Sequence, residues 1–265
     1  MYQTDPPRPP KEILPTMYHL KSEDPEEPGL PDEFHDLQPE LLKQTFQPSN
    51  YSSEELFTGT DLNLYYDPRY PQWYKRPDWF AVLGVSHLYE QRDLRLSYVI
   101  WQEGVNPFII VELLSPGTEE EDLGQTLRDV NKPPTKWQVY EQILRIPYYI
   151  VFNRYTDELQ IFGLVTNRYQ PLILNQGQLW IEEIQLGIGL WRGNYQGIER
   201  NWLRWYDSQG NWILTPEERE YKRAETERQR AEDIGLQLEQ ERQKAAKLAE
   251  YLRSLGLDPD NLPRN

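Results

Sequence analysis

The stretch Phe108-Ile109-Ile110-Val111-Glu112-Leu113-Leu114 is apolar at every position but one. A strand-length run of this kind offers no polar face to water, so it belongs inside a sheet that is covered on both sides. Glu112 is then the position that needs an explanation. An ionised carboxyl in an apolar strand is expensive unless it is paired or bound to a cation. Further strand candidates are Trp79 to Val85, Ser97 to Trp101, Tyr148 to Phe152 and Leu159 to Phe162. Between the strands at 108–114 and 148–152, Pro133-Pro134 introduces a helical pattern from Thr135 to Leu144, with Trp137, Tyr140, Ile143 and Leu144 as its apolar positions. Strand, helix, strand in that order predicts an α/β unit with a right-handed crossover. Residues 163–212 read as further short strands and turns rich in Gly and Trp.

Outside this core, composition divides the chain. Residues 1–50 are crowded with proline and carry the acidic run Glu23-Asp24-Pro25-Glu26-Glu27, which predicts a mostly disordered arm with a short helix near Pro39 to Phe46. Residues 51–214 form the folded domain. Residues 215–265 read as a charged helix: Thr215-Pro216-Glu217-Glu218 is a capping box with proline at the first helical position, and Gly256 marks the stop. Its heptad positions hold Ala224, Ala231, Leu238, Ala245 and Leu252, with Glu227, Ile234, Glu241, Leu248 and Leu255 three residues on. That seam, within residues 216–255, supports a weak coiled coil, as a homodimer or with a protein partner, about as well as it supports a solvated helix laced with i,i+4 pairs.

Several function classes fall away. The chain has no cysteine, which excludes thiolate metal sites and cysteine nucleophiles, and only three histidines. No apolar run approaches the roughly 18 residues of a membrane span, so no membrane partner and a cytoplasmic location are expected. The net charge is −15, more than half of it within residues 1–55. A nucleic-acid partner would therefore have to meet a local basic groove or be bridged by metal ions.

The remaining chemistry is that of carboxylates, lysine and a hard cation. Asp78 follows Pro77 at the edge of the strand that begins at Trp79. If that strand neighbours 108–114, Asp78 and Glu112 converge, and with the carbonyl of Leu113 they make an oxygen site suited to Mg²⁺ or Mn²⁺. Lys136 opens the following helix, one turn before Tyr140, where a helix N-terminus already favours anions. Each residue also has a plainer reading: Asp78 as a turn carboxylate, Glu112 as the partner of Arg95, Lys132 or Lys136 in a buried ion pair, and Lys136 as a surface lysine packed on Trp137 or Tyr140. Asp122 and Asp129 read as solvated loop acids, with a second-metal or loop-anchoring role open, Asp61 as a weak site candidate better explained by a turn, and His87 as a strand-end residue. Lys75, Arg76, Arg92, Arg95, Arg128, Lys132 and Tyr140 are candidate phosphate contacts. The many Trp and Tyr rings could stack bases, although most read as core.

The order Pro77-Asp78, Pro107 to Thr118 with Glu112, Lys136 with Tyr140, and Ile146-Pro147-Tyr148-Tyr149-Ile150-Val151-Phe152 resembles the Uma2 family of restriction-endonuclease-like proteins in the PD-(D/E)XK nuclease superfamily. The resemblance covers about residues 56–200, and the acidic arm and C-terminal helix look like additions of a cyanobacterial branch. It implies an α/β restriction-endonuclease-like core with a central mixed sheet flanked by helices, followed by the long C-terminal helix. It also implies metal held by Asp78 and Glu112, and a Mg²⁺-dependent hydrolysis of nucleic-acid phosphodiesters, DNA before RNA. Leu114 stands where the superfamily's acid-x-Lys signature has its lysine. Lys136 matches the helix position from which Uma2-like members supply the amine. A lost lysine is also how a nuclease decays into a scaffold, so a weak or inactive binding protein stays open beside the enzyme.

Overall fold

The computed structural model describes residues 32–115, 122–125, 133–256 and 258–259. The expected disordered arm therefore lies outside the described residues up to 31, as do Arg128, Asp129 and Lys132. The described residues from 32 to 50 depart from that expectation: α1 (Phe34–Thr45) begins five residues before Pro39 and buries Phe34, Leu41 and Leu42. Asp32 opens it, its carboxylate accepting from the N–H groups of Phe34 and His35 at 2.9 and 3.3 Å. The acidic composition of this stretch hides a helix whose apolar side is core.

The strands follow as β1 (Leu56–Thr60), β2 (Leu64–Tyr65), β3 (Tyr74–Lys75), β4 (Trp79–Leu83), β5 (Tyr98–Val99), β6 (Ile109–Leu113), β7 (Tyr148–Asn153), β8 (Glu158–Val165), β9 (Arg168–Pro171), β10 (Gln178–Ile181), β11 (Leu186–Tyr195) and β12 (Ile198–Tyr206). Two short helices interrupt them: α2 (Ile100–Glu103) follows β5, and α3 (Lys136–Gln138) continues as a π-turn over Val139–Ile143. The strand expected over Ser97 to Trp101 is thus cut to two residues, because the chain turns helical at Ile100 and stops at Gly104, which has a φ of +73°. The π-turn adds a residue to the helical repeat. Ile143, expected on the apolar face, is consequently 42% exposed.

The central sheet has the order β1-β4-β6-β7-β8-β9, parallel only between β6 and β7. It is the mixed sheet of a restriction-endonuclease-like α/β fold. Every residue of β6 is buried, as its sequence requires. Alternation sends Ile109, Val111 and Leu113 to one face, against Phe34 and Leu41 of α1, Phe46 just after it, and Ile188, Trp202 and Trp205 of a second sheet, β10-β11-β12. The other face presents Ile110 and Leu114 to Val139, Tyr140 and Leu144 of the α3 segment, and Glu112 lies on that side. Instead of the short strands expected after residue 163, β11 and β12 form a long hairpin. Tyr195 pairs with Ile198 across Gln196-Gly197, both at positive φ as a tight two-residue turn demands.

A second unit begins at Leu214. Its helix α4 (Pro216–Ser254) starts at the capping box: Thr215 accepts from the Glu218 N–H at 3.2 Å, and Glu218 accepts from the Thr215 N–H at 2.8 Å. No residue of α4 is buried. No helix among the described residues is long and apolar enough to cross a membrane.

Candidate active site

The register that pairs Trp79 with Val111 brings the start of β4 beside the end of β6. Asp78 Oδ2 accepts the Leu113 N–H at 2.6 Å, so the convergence expected of Asp78 and Glu112 is built into the sheet itself. The carbonyl of Leu113, expected as a metal ligand, accepts from His35 Nε2 at 3.1 Å. The other ring nitrogen of His35 faces Asp32 Oδ1 at 2.9 Å. With an oxygen acceptor at each nitrogen the ring favours its doubly protonated form. Burial lowers its pKa, but the hydrogen bond to Asp32 and the charges of Asp78 and Asp32 outweigh that and raise it overall. Sequence reading passed over His35, because it reaches Leu113 only through the docking of α1.

Glu112 is wholly buried, and both its oxygens are used. Lys136 Nζ lies 3.0 Å from Oε2, and Tyr140 donates its hydroxyl to Oε1 at 2.8 Å. The one-turn spacing that put Lys136 and Tyr140 on one side of a helix thus delivers both to a single carboxylate. Thr135 fixes the start of that helix, accepting from the Gln138 N–H while Gln138 reaches back to the Thr135 N–H, both at 3.3 Å. Tyr140, expected to touch a phosphate, is completely buried and serves Glu112 instead. Lys136 is no surface residue either: its side chain is 19% exposed.

Asp122 was expected to be solvated and is 1% exposed. Its carboxylate Oδ1 lies 2.9 Å from Lys136 Nζ, while Oδ2 is buried with no hydrogen-bond partner among the described residues. Tyr149 donates to the Asp122 carbonyl at 2.9 Å and anchors the segment. Gly124, at φ +69°, lets it close over Trp137, where a Cβ would come within 2.7 Å of the indole. No pattern in the acidic loop distinguishes Asp122 from its neighbours; its selection depends on that turn.

Two carboxylates, Glu112 and Asp122, therefore contact one ammonium, and the charge of Asp78 acts on it as well. Burial is the largest cause pushing Glu112 far above the usual carboxylate range, against the pull of Lys136 and with repulsion from Asp122 and Asp78. Asp78 is raised in the same way, with Lys136 and His35 opposing. Lys136 in turn is held well above an ordinary lysine: burial lowers it, but the three acids together prevail. Among the described residues no three acidic or imidazole side chains converge into a ready-made metal cage. What the cluster offers a divalent cation is more carboxylate than ammonium, with one Asp122 oxygen unpartnered among the described residues, while the pairing of Glu112 with Lys136 is the buried ion pair that the sequence also allowed.

The expected phosphate contacts fare differently. Arg76 is taken by Asp61, with Nη2 at 2.8 Å from Oδ2 and Nε donating to the Asp61 carbonyl at 3.1 Å. Asp61 sits in a turn at φ +47°, as the sequence suggested, and donates its N–H to the Asp78 carbonyl at 3.3 Å, beside the site. Arg95 pairs with Glu103 at 2.7 Å and lies over Phe57, far from the role of Glu112's partner. Lys75 lies on β3, and Arg92 and His87 belong to the loop before β5. Two of the expected basic contacts, Arg76 and Arg95, are thus held in local ion pairs.

The model of the Uma2 family, described as "Putative restriction endonuclease", matches residues 15–194. The chain belongs to the Uma2 family. The Uma2 match reaches back across α1, so the helix that carries His35 is family domain and not a later addition, contrary to the expectation drawn from the sequence. It ends within β11, before α4. No curated protein matches the chain. A nuclease-like fold is what the Uma2 family gives this protein.

Proposed function

We propose that this Uma2 protein is a Mg²⁺- or Mn²⁺-dependent endonuclease that hydrolyses nucleic-acid phosphodiesters, DNA before RNA, in the cytoplasm. The observation that carries the reading is the buried excess of carboxylates around Lys136: Asp78, Glu112 and Asp122 outnumber it three to one. Asp78, Glu112 and Asp122 would hold the cation, which when bound would lower the pKa of a water and carry charge off the phosphodiester. Lys136 keeps its proton and presents positive charge where charge develops on the reacting phosphate. Tyr140 fixes one oxygen of Glu112, so that the carboxylate cannot swing away. His35, on the far side of Leu113, adds a second positive charge near Asp78.

The test is cleavage of supercoiled plasmid, single-stranded DNA and RNA with Mg²⁺, Mn²⁺ or EDTA, beside Asp78→Ala and Lys136→Ala. Metal-dependent cleavage lost in both variants is the expected result. Absence of cleavage in the wild type with every substrate and metal would sink the reading. A second reading rests on α4, where Ile234, Leu238 and Leu248 are 64%, 54% and 60% exposed. It makes the protein a weak or inactive nuclease-fold scaffold that binds a partner, or its own copy, through residues 216–255. Concentration-dependent association lost on deleting that segment, without any cleavage, would favour it.

A further inference from the structure

Beside the central sheet lies a small one, β3-β2-β5, whose two faces differ. Leu64 and Tyr98 are paired across it and fully buried, so that face belongs to the core. Alternation sends Tyr65 and Tyr74, a directly opposed pair, to the other face. Their rings lie 5.5 Å apart, and Trp101 meets Tyr65 edge-on at 6.3 Å. Tyr74 is 44% and Trp101 41% exposed. In the connection between β2 and β3, Tyr70 stacks on Trp73 at 3.9 Å with planes 10° apart, and Tyr70 is also open to solvent. Elsewhere in this domain aromatic rings are mostly core; here Tyr74, Trp101 and Tyr70 are each about two-fifths exposed, and Tyr74 and Trp101 both meet Tyr65.

We propose that this aromatic face binds unpaired bases of a nucleic-acid strand by stacking, which makes single-stranded or locally opened nucleic acid the substrate class of the site. The inference rests on the nuclease reading above. Continuity of the chain supports it: Tyr74 and Lys75 form β3, and Arg76-Pro77 leads directly to Asp78. Four residues of extended chain reach at most about 14 Å, so the backbone of Tyr74 lies within that distance of Asp78. Charge supports it as well. Binding that relies on counterion release needs free cations, yet Arg76 and Arg95 are held by acids and the protein's net charge is −15. Stacking on a ring face does not need that surplus and accepts any base. A duplex hides the faces of its bases, so a stacking surface selects strands that are already unpaired.

The experiment is fluorescence anisotropy of labelled single-stranded and duplex oligonucleotides of one sequence with the full chain in EDTA, so that cleavage cannot intrude. The expected result is tighter binding of the single strand with a shallow salt dependence. Tyr74→Ala and Trp101→Ala are each expected to weaken it about tenfold, while Tyr74→Phe, which keeps the ring, binds as the wild type does. Circular dichroism of each variant checks the fold, and exposed Tyr74 carries the test if Trp101→Ala unfolds. Equal binding of duplex and single strand, or alanine variants that bind normally, would overturn the proposal. So would loss of self-association in place of loss of oligonucleotide binding, which would make the face a contact between copies. Metal-dependent cleavage by the wild type is scored separately. Cleavage without ring-dependent binding removes the platform and leaves the nuclease, and ring-dependent binding without cleavage does the reverse.

Discussion

Two lysine–glutamate pairs of similar length occupy opposite surroundings in this protein. On α4, Lys244 Nζ lies 2.8 Å from Glu241, with the side chains 71% and 69% exposed. Below the α3 segment, Lys136 Nζ lies 3.0 Å from Glu112, with side chains 19% and 0% exposed. Water screens the first pair and would solvate either partner alone. In the second, Glu112 has no water to fall back on and Lys136 little, and the acids outnumber the base. Pair distance therefore says little about what an ion pair does; burial and local charge balance decide it. The unbalanced pair is the one that marks chemistry.

The largest break in the comparison should come from Lys136→Met. It leaves Glu112, Asp122 and Asp78 facing one another without their shared cation, and loss of one partner of a buried pair costs about 3–5 kcal/mol. Urea titration should show that loss in full at pH 8. It should shrink at acid pH, where protonated carboxyls no longer need the ammonium. A neutral buried contact should cost less. Gln38 on α1 exchanges two hydrogen bonds with the Leu203 backbone, both at 2.9 Å, and Gln38→Ala should cost about 1–3 kcal/mol without that pH dependence. A loss at Gln38 equal to that at Lys136 would show that polar burial, not charge imbalance, governs this core.

Asp78→Asn should move stability the other way. The folded-state pKa of Asp78 is raised, chiefly by burial, above its ordinary 3.8. The native state therefore holds this proton more tightly than the unfolded chain. The stability Asp78 contributes is complete below the unfolded value and is lost as pH rises through the folded one. The uncharged Asn escapes that loss while still offering a carbonyl oxygen to the Leu113 N–H. The variant should gain on the order of 1 kcal/mol over wild type at pH 8 and nothing at pH 3, while losing metal-dependent activity. A destabilised Asn variant at pH 8 would mean that Asp78 is matched by positive charge from His35 and Lys136, and that the cluster has no surplus for a cation to neutralise.

What the sequence disclosed about this site follows the range of its interactions. The strand β6 was legible because burial on both faces leaves a continuous apolar run, and Glu112 stood out against it. Lys136 and Tyr140 were legible as a pair because one helical turn separates them. Asp78 needed the assumption that two strands are neighbours, which β4 and β6 are. His35 and Asp122 were not legible. His35 arrives from a helix sitting in an acidic, proline-rich stretch, 78 residues from the carbonyl it meets. Asp122 is one acid among several in its loop, and only the turn at Gly124 and the hydroxyl of Tyr149 single it out. Two members of the expected basic groove are engaged elsewhere for a related reason: sequence proximity placed Arg76 and Arg95 near the site, but each has a closer acid, Asp61 or Glu103.

The smallest effect belongs to the exposed pair, and it is informative because it should be nearly absent. A double-mutant cycle on Lys244→Ala and Glu241→Ala should give a coupling of less than about 0.5 kcal/mol, shrinking further in salt as the Debye length falls from about 10 Å at 0.1 M to 3 Å at 1 M. Arg223–Glu227 and Arg228–Glu225 are exposed in the same way and should behave alike. The cycle read by circular dichroism therefore measures whether α4 is the solvated helix these pairs describe. A coupling several times larger, insensitive to salt but falling on dilution of the protein, would show that the seam of Ile234, Leu238 and Leu248 is covered by another helix in solution. Lys244 would then be desolvated like Lys136, and the contrast between the two lysines would narrow to one of charge balance alone.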